Sequence, residues 1–276
     1  MYYYTIGQYL EHILHELEKE LKGKDSSVYP QEVPCECGNT PENCTRTQAL
    51  LYYMKYHFGY AFEYEYIYTN HIIKSFCGDR MNVLSVGCGN GIDLWALCHA
   101  LDKNDTDISV ISYTGIEKRV CSEVFRGRKA DRVRYRKKCG RYSGDTDVLF
   151  LPRSVGLMDR AELDKLTKRI SCGKRLYIAA SFRSGTEELG CDVSNFDYLI
   201  DCFERAGLHL KEGKRNKYFK YNEAQVCGIK SIYHDYEYPD RALTLLGRLR
   251  EQGKGSWGLP VLTNSMLRYN YAVMES

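Results

Sequence analysis

The chain has 276 residues, of which 39 are basic and 36 acidic, so its net charge is +3. Hydrophobic residues make up 43% of the sequence, enough for the core of one large α/β domain or two small ones. No uncharged apolar run is long enough to cross a bilayer, and the first residues lack the basic start and apolar stretch of a secretory signal. We therefore expect a cytoplasmic protein with no membrane partner.

The first part of the chain is predicted to be helical. Residues 1–23 show the pattern of a charged amphipathic helix, and residues 48–73 are rich in tyrosine. Two stripes recur there at four-residue spacing: Leu50, Met54, Phe58 and Phe62 form one, and Tyr56, Tyr60, Tyr64 and Tyr68 form the other. Because a helix that is apolar on several sides is usually buried, we expect this helix to pack across the edge of a sheet.

The 12 cysteines allow a disulfide framework, reduced thiols or a metal site. A disulfide framework is typical of short secreted scaffolds, so we expect reduced cysteines that act as small hydrophobes. Cys35, Cys37 and Cys44 lie close enough in sequence to suggest zinc. Only one residue separates the first two, however, whereas zinc sites use pairs two to four residues apart. We therefore predict no metal.

The segment Met81–Leu97 reads MNVLSVGCGNGIDLWAL. Its apolar run Val83–Val86 ends in Gly87, Gly89 and Gly91, and a helical pattern follows, which predicts a strand, a tight turn and a helix start. Glycine adopts positive φ and has no Cβ, so a ligand can lie directly against the backbone. The first turn of the helix also offers free N–H groups and a partial positive charge.

Three kinds of glycine turn compete for this segment. A dinucleotide site has the pattern G-x-G-x-x-G/A, and here the third position is Ile92, which is too large for that close packing. A phosphate-binding P-loop ends in Gly-Lys-Ser/Thr, which is absent. The third alternative is a turn that binds nothing.

Two further strands are predicted to end beside this turn. Ile108–Ile116 is rich in β-branched residues and is followed by Glu117, whose carboxylate can accept hydrogen bonds from both hydroxyls of a ribose. Asp147–Ser154 reads DVLFLPRS, and its strand must end at the proline. Ligands of doubly wound sheets bind beyond the carboxyl ends of the strands, so we expect Arg153 and Ser154 at the mouth of the site.

The rest of the sequence continues to alternate between strand and helix patterns. Strands are predicted at Arg175–Ser181, Leu208–Leu210 and Met266–Met274, and a helix at Asn195–Ala206 with Gly207 as its stop. Such alternation predicts an α/β fold, namely a Rossmann-like, doubly wound and mostly parallel sheet, with the N-terminal helices as an extension.

The glycine turn resembles motif I of the class I S-adenosylmethionine-dependent methyltransferases, and the resemblance covers roughly residues 80–210. It implies a methyltransferase-like fold, transferase activity and S-adenosylmethionine as the cofactor. Ser85 occupies the position that is usually acidic in the family, and Asp93 is a candidate to replace that carboxylate. The cofactor-binding residues implied are Ser85, Gly87, Cys88, Gly89, Asn90, Gly91, Asp93, Glu117 and Pro152.

Family members commonly use the segment before the first strand to cover the cofactor and shape the substrate pocket. The resemblance therefore implies that residues 1–78 form an N-terminal helical extension and lid, and that residues 79–276 form the S-adenosylmethionine-binding domain. We hypothesise that Tyr60, Arg153 and Ser154 contact the substrate. No residue identifies itself as a catalytic base.

Three functions remain open at this point. The first is methylation of an unknown acceptor, for which we favour a small molecule. The second is methylation of RNA or DNA, because Arg126–Arg141 contains nine basic residues and one acid and so carries a charge of +8. The arginines at alternate positions also fit a charged edge strand that resists aggregation. The third is a non-catalytic protein that binds S-adenosylmethionine.

Overall fold

A computed structural model describes residues 5–22, 45–118, 124–126, 129–138, 145–183, 185–220, 238–251 and 267–276. The chain divides into two compact units. The first comprises Met1–Tyr2, Phe62–Tyr221 and Met266–Ser276, and the second comprises Tyr3–Ala61 and Asn222–Ser265. Among the described residues, no helix combines the length and hydropathy that a membrane span requires. The predicted division at residue 78 into a lid and a cofactor domain stays a prediction.

The described residues contain α-helices and β-strands in alternation. The helices are α1 (Ile6–Leu21), α2 (Arg46–Ile67), α3 (Ile92–Lys103), α4 (Arg160–Thr167), α5 (Thr186–Arg205) and α6 (Asp240–Glu251). The strands are β1 (Arg80–Val86), β2 (Ser109–Ile116), β3 (Ala130–Arg136), β4 (Val148–Pro152), β5 (Arg175–Phe182), β6 (His209–Gly213), β7 (Phe219–Lys220) and β8 (Arg268–Glu275).

The second unit contains α1, α6 and most of α2. Helix α1 begins at a capping box, in which Thr5 and Gln8 bond each other's backbone amides. It buries the apolar face that the sequence predicts, and the Tyr9 hydroxyl forms a buried hydrogen bond of 2.8 Å with Nδ1 of His57. Burial lowers the pKa of His57 to about 3, so this imidazole is neutral.

The first unit contains a mixed sheet with the strand order β3-β2-β1-β4-β5-β8-β6, and β7 pairs with β8. Strands β1 to β5 are parallel, whereas β8 is antiparallel to β5, β6 and β7. The connection through α3 leads from β1 to β2, and the one through α4 leads from β4 to β5 in the opposite direction along the sheet. Right-handed crossovers then place these helices on opposite faces. The predicted Rossmann-like fold is confirmed.

Strand alternation separates the two layers of the core. Leu84 and Leu149 point to the face where the apolar sides of α4 and α5 pack. Phe150 points to the other face, where its ring stacks on Tyr68 at 4.7 Å between centroids and meets the edge of Tyr64 at 5.4 Å. The tyrosine-rich segment is therefore buried against the sheet at its central strand β4, and the expected packing across the sheet edge is wrong for these residues.

Most predicted elements occur close to their predicted ends. Helix α5 begins at Thr186, well before the predicted Asn195, because its first half is polar and shows little periodicity. It ends as predicted, with Gly207 at φ +96° and the amides of Gly207 and Leu208 bonded back to Glu204 and Phe203. Helix α4 was not predicted, since its eight residues are too few to show a pattern.

Candidate functional site

The carboxyl ends of β1 and β4 meet at the point where the strand order reverses, which is where ligands bind in open α/β sheets. The Ser154 hydroxyl, just beyond β4, donates to the carbonyl of Val86 at the end of β1. A Cβ on Gly87 would overlap the Ser154 side chain, and the φ of Gly87 is +77°. Glycine is thus required at this position for the two strand ends to approach.

The three glycines of the turn all adopt positive φ, but their surroundings differ. At Gly91 a Cβ would overlap the hydroxyl of Tyr135, and its φ is +87°. At Gly89, with φ +57°, nothing lies within 4 Å of where a Cβ would be. Gly87 and Gly91 are therefore needed for packing within the protein, whereas Gly89 presents bare backbone to open space.

The Glu117 carboxylate lies over this bare backbone. Its Oε2 atom accepts a hydrogen bond of 3.0 Å from the amide of Gly89. The Glu117 amide in turn donates to the carbonyl of Arg136 at 2.9 Å, which fixes the residue at the end of β2. The structure therefore brings together the glycine turn and the acidic residue that the sequence singled out separately.

Two further turn residues contribute backbone groups to the site. The side chains of Cys88 and Asn90 are buried in the protein, and the Asn90 carbonyl accepts from the amide of Phe125 at 2.9 Å. The Tyr135 hydroxyl donates to the carbonyl of Phe125 at 2.8 Å. Sequence reasoning missed both aromatic residues. Tyr135 could have been found from the sequence, because it alternates with the arginines of β3 and so points to the opposite face.

Ser85 and Asp93 are both fully buried beneath the turn. The Tyr113 hydroxyl lies 2.9 Å from each carboxylate oxygen of Asp93. Burial raises the pKa of Asp93 from 3.8 to about 6, although the hydroxyls of Ser85 and Tyr113 act in the other direction. Asp93 of helix α3 thus supplies a carboxyl group near Ser85 of β1.

Asp93→Asn is expected to change how stability depends on pH. The folded-state pKa of Asp93 lies above its unfolded value, so the stabilisation from its proton is fully present below about pH 4 and is lost as the pH rises from about 4 to about 6. The stability of the wild type relative to the variant should therefore fall by roughly 3 kcal/mol across this range, at about 1.4 kcal/mol per pKa unit. Urea unfolding at a series of pH values measures it. A pH-independent difference would show that Asp93 does not titrate there.

The tip of β4 carries a strained and buried arginine. Arg153 has φ +51°, in the left-handed region that non-glycine residues rarely adopt. Its Nη2 donates to Oε2 of Glu63 in α2 at 2.9 Å, and both side chains are buried. Its amide donates to Ser181 of β5, the residue that pairs with Pro152 of β4. Backbone strain and a desolvated charge pair at one residue are both costly, which indicates a functional position.

Glu63 was not predicted, and its signal is visible in retrospect. It is an acid within a helix whose other positions are mostly aromatic or apolar. A carboxylate on such a helix must find a cation when the helix is buried.

A second buried ion pair supports the ends of β4 and β5. Asp192 of α5 accepts from Nη2 of Arg183 at 2.8 Å and from the Arg183 amide at 2.6 Å. Arg183 directly follows β5, and both side chains are buried. A Cβ on Gly156 would overlap this pair, so the turn after β4 packs closely on it.

Tyr60 lies in the second unit, within the aromatic cluster of α2. Its hydroxyl is 3.3 Å from that of Tyr52, and its ring stacks on Tyr56 at 5.8 Å. Its substrate contact stays a prediction. The cysteines of the considered zinc site, Cys35, Cys37 and Cys44, lie outside the described residues. Within those residues no group of three or more histidine, cysteine or acidic side chains is arranged to hold a metal.

Comparison with known proteins gives weak similarities. No family profile matches the chain, and no curated protein sequence matches it. The plantazolicin methyltransferase BpumL, solved with a triazolic desmethylPZN analog and SAH, is 13% identical over 98% of this chain and 100% of its own, with a TM-score of 0.43. A putative class I S-adenosylmethionine-dependent methyltransferase from Listeria monocytogenes is 12% identical over 99% and 69%, with a TM-score of 0.42.

A third solved structure is geranyl diphosphate C-methyltransferase from Streptomyces coelicolor A3(2), which is 10% identical over 97% of this chain and 98% of its own, with a TM-score of 0.38. Identities and TM-scores of this size assign neither a family nor a ligand.

Proposed function

We propose that this protein is a class I S-adenosylmethionine-dependent methyltransferase that acts on a small-molecule acceptor. The observation that carries the proposal is the open backbone of Gly89 beneath the carboxylate of Glu117 at the reversal point of the sheet. This combination suits a nucleoside, because the sugar would offer two hydroxyls to the carboxylate and the bare backbone would leave room for the rest of the molecule.

The third position of the turn favours this cofactor over a dinucleotide. Ile92 is large and buried at the position where a dinucleotide site has glycine or alanine. The Glu117 carboxylate does not separate the two cofactors, because both contain a ribose.

We assign the binding roles as follows. Glu117 would hold the ribose, and one of its carboxylate oxygens would keep the hydrogen bond from the Gly89 amide. The turn from Gly87 to Gly91 and the buried Asp93 would hold the methionine part. Pro152 would line the cofactor site, and Arg153 and Ser154 would face the acceptor. We also infer that residues 1–78 act as a lid and that Tyr60 lines the acceptor pocket.

The chemistry asks mainly for alignment. When bound, the cofactor supplies a methyl group on a positively charged sulfur, which is already activated for displacement. The protein then contributes by holding the acceptor in line with that bond, an effect worth several kcal/mol of the barrier. The strained tip of β4 is suited to this, since the Glu63 ion pair and Ser181 hold Arg153 from two sides. A base is needed only for an acceptor that must lose a proton, and no residue is assigned that role.

Isothermal titration calorimetry with S-adenosylmethionine, S-adenosylhomocysteine and NAD, each on the same protein sample, tests the cofactor. We expect binding of the first two and none of NAD. Binding of NAD alone would replace the proposal with a dinucleotide site, and binding of none of them would refute any nucleoside site at the turn.

Glu117→Gln is expected to weaken binding of S-adenosylhomocysteine about tenfold to hundredfold, because a hydrogen bond to a charged group contributes about 1.5–3 kcal/mol. Glutamine keeps the size of the side chain and one acceptor oxygen. The matched control is Glu187→Gln, the same change at an exposed position of α5. Equal affinities of the two variants in calorimetry would remove Glu117 from the site.

A non-catalytic S-adenosylmethionine-binding protein is the second candidate. It is favoured by Ser85, which replaces the acidic residue that the resemblance implies. Transfer of radiolabelled methyl groups to a panel of small molecules, peptides and RNA separates the two. Label in any acceptor supports the enzyme, whereas tight cofactor binding with no transfer across the panel supports the binding protein.

A further inference from the structure

Strand β3 forms the edge of the described sheet, and it presents three arginines on one face. Arg132, Arg134 and Arg136 occupy alternate positions, so they share that face. Their partners in register on β2 are Ser112, Thr114 and Ile116. We call the surface of Arg132, Arg134, Arg136, Ser112 and Thr114 the arginine face.

The arginine face lies on the side of the sheet opposite to α3. The intervening Tyr135 packs on Tyr113 with ring centroids 5.9 Å apart and approaches Gly91, which places odd-numbered positions of β3 on the α3 side. Arg132 and Arg134 are exposed, and Ser112 and Thr114 are half-buried. Among the described residues between β3 and β4, no helix covers this part of the sheet.

The neighbouring residues that the structure describes do not neutralise the positive charge of the face. The nearby carboxylate of Asp102, on α3, pairs with Lys129 at 3.1 Å. Asp131 is an odd-numbered position of β3, like Tyr135, so its side chain lies on the α3 side of the sheet. Among the described residues, no carboxylate forms an ion pair with the three arginines of the face. Two exposed cations, Arg132 and Arg134, and the half-buried Arg136 are therefore spaced along one strand.

We propose that the arginine face binds the phosphate backbone of single-stranded nucleic acid. Alternate residues of a strand are about 6.6 Å apart, a spacing that suits successive phosphates of an extended chain. Arginine offers a planar fork of donors that matches phosphate, and the Thr114 hydroxyl is a further donor of the kind that contacts nucleic-acid backbones. The Ser112 hydroxyl donates to Oδ1 of Asn82 at 2.8 Å. These contacts are to phosphate and carry no sequence information, so we expect binding that is independent of sequence.

Protection of an edge strand against aggregation explains a charged strand in general but not this arrangement. Protective charges are most often lysine, whereas all three positions here are arginine. An edge strand whose charges only prevent aggregation would not need hydroxyl side chains beside them on the neighbouring strand. The face ends at Arg136, whose carbonyl accepts from the Glu117 amide at 2.9 Å, so a bound strand would run towards the candidate site.

Fluorescence anisotropy with a fluorescein-labelled oligouridine, measured over a series of salt concentrations without any cofactor, tests the proposal. Three phosphate contacts to a single strand contribute a slope of about −2 to log affinity against log salt. The triple variant R132Q/R134Q/R136Q is expected to lose at least about tenfold in affinity at low salt, with a slope shallower by about 2. The variant R132K/R134K/R136K keeps the charge but lacks the planar fork of donors. Its affinity should lie between those of the wild type and the glutamine variant.

The control is K165Q/K168Q/K174Q, which removes the same charge from exposed positions elsewhere on the first unit. It should bind the oligouridine like the wild type, and thermal unfolding should show all variants folded. Wild-type affinity of the arginine-to-glutamine variant, or no binding by the wild type, would overturn the proposal. Tighter binding to duplex RNA, or to vesicles of phosphatidylserine and phosphatidylcholine, would also overturn it. Because no step uses the cofactor, this result is separate from the calorimetry at the glycine turn.

Discussion

Gly89→Ala is expected to abolish binding of S-adenosylhomocysteine while the protein stays folded. The added methyl group meets nothing within 4 Å in the protein, so it projects into the space in which the proposed cofactor lies. The backbone at φ +57° costs a non-glycine residue about 1–2 kcal/mol, which a domain of this size tolerates. Calorimetry measures the affinity, and thermal unfolding measures the stability of the same sample.

Gly207→Ala is the matched control for this experiment. Gly207 also has positive φ, +96°, and a Cβ added there would also meet nothing within 4 Å, but it ends α5 and is not part of the turn. Both variants place alanine at a positive φ, and the backbone cost is larger at Gly207 because +96° lies outside the left-handed α region. If Gly89→Ala binds as tightly as the wild type, no ligand lies against that residue. If both variants lose binding equally, the loss reflects stability alone.

Asp192→Ala is expected to destabilise the protein by about 3–5 kcal/mol, the usual effect of leaving one buried charge without its partner. The Arg183 guanidinium would lose its carboxylate in a site closed by Gly156 and would have no access to water. Because this pair supports the ends of β4 and β5, we also expect weaker cofactor binding.

Urea unfolding measures the change in the free energy of unfolding. The control is Glu18→Ala, which removes a carboxylate from an ion pair with Arg241 whose two side chains are 43% and 69% exposed. Exposed pairs of this kind contribute under about 1 kcal/mol. Similar losses in the two variants would mean that the Arg183–Asp192 pair is well hydrated in solution.

The local features of the site were predictable from sequence because local constraints determine them. Glycines at alternate positions directly after a strand predict a tight turn, and Gly87, Gly89 and Gly91 adopt the positive φ values that glycine reaches without steric cost. Glu117 was predictable because a strand pattern ends directly before it. Its hydrogen bond to the Gly89 amide was not, since that contact depends on how β1 and β2 align.

The long-range features were not predictable, because local constraints do not determine them. Glu63 and Arg153 are far apart in sequence, and only the packing of α2 on the sheet brings them together. The parallel part of the sheet followed from the alternation of strands and helices, but the place of β8 between β5 and β6 did not. Residues of β8 alternate in a way that fits an edge or an interior strand equally well.

The place of β8 constrains the order in which the protein can be completed. It is the last described strand along the chain, yet it hydrogen-bonds to β5 on one side and to β6 on the other. While the ribosome is still translating the residues before it, both of those strands have open backbone edges, which are templates for pairing with other chains. Chaperone protection during synthesis therefore matters most before residues 268–275 emerge, and a stop codon shortly ahead of them should yield aggregates rather than a smaller folded protein.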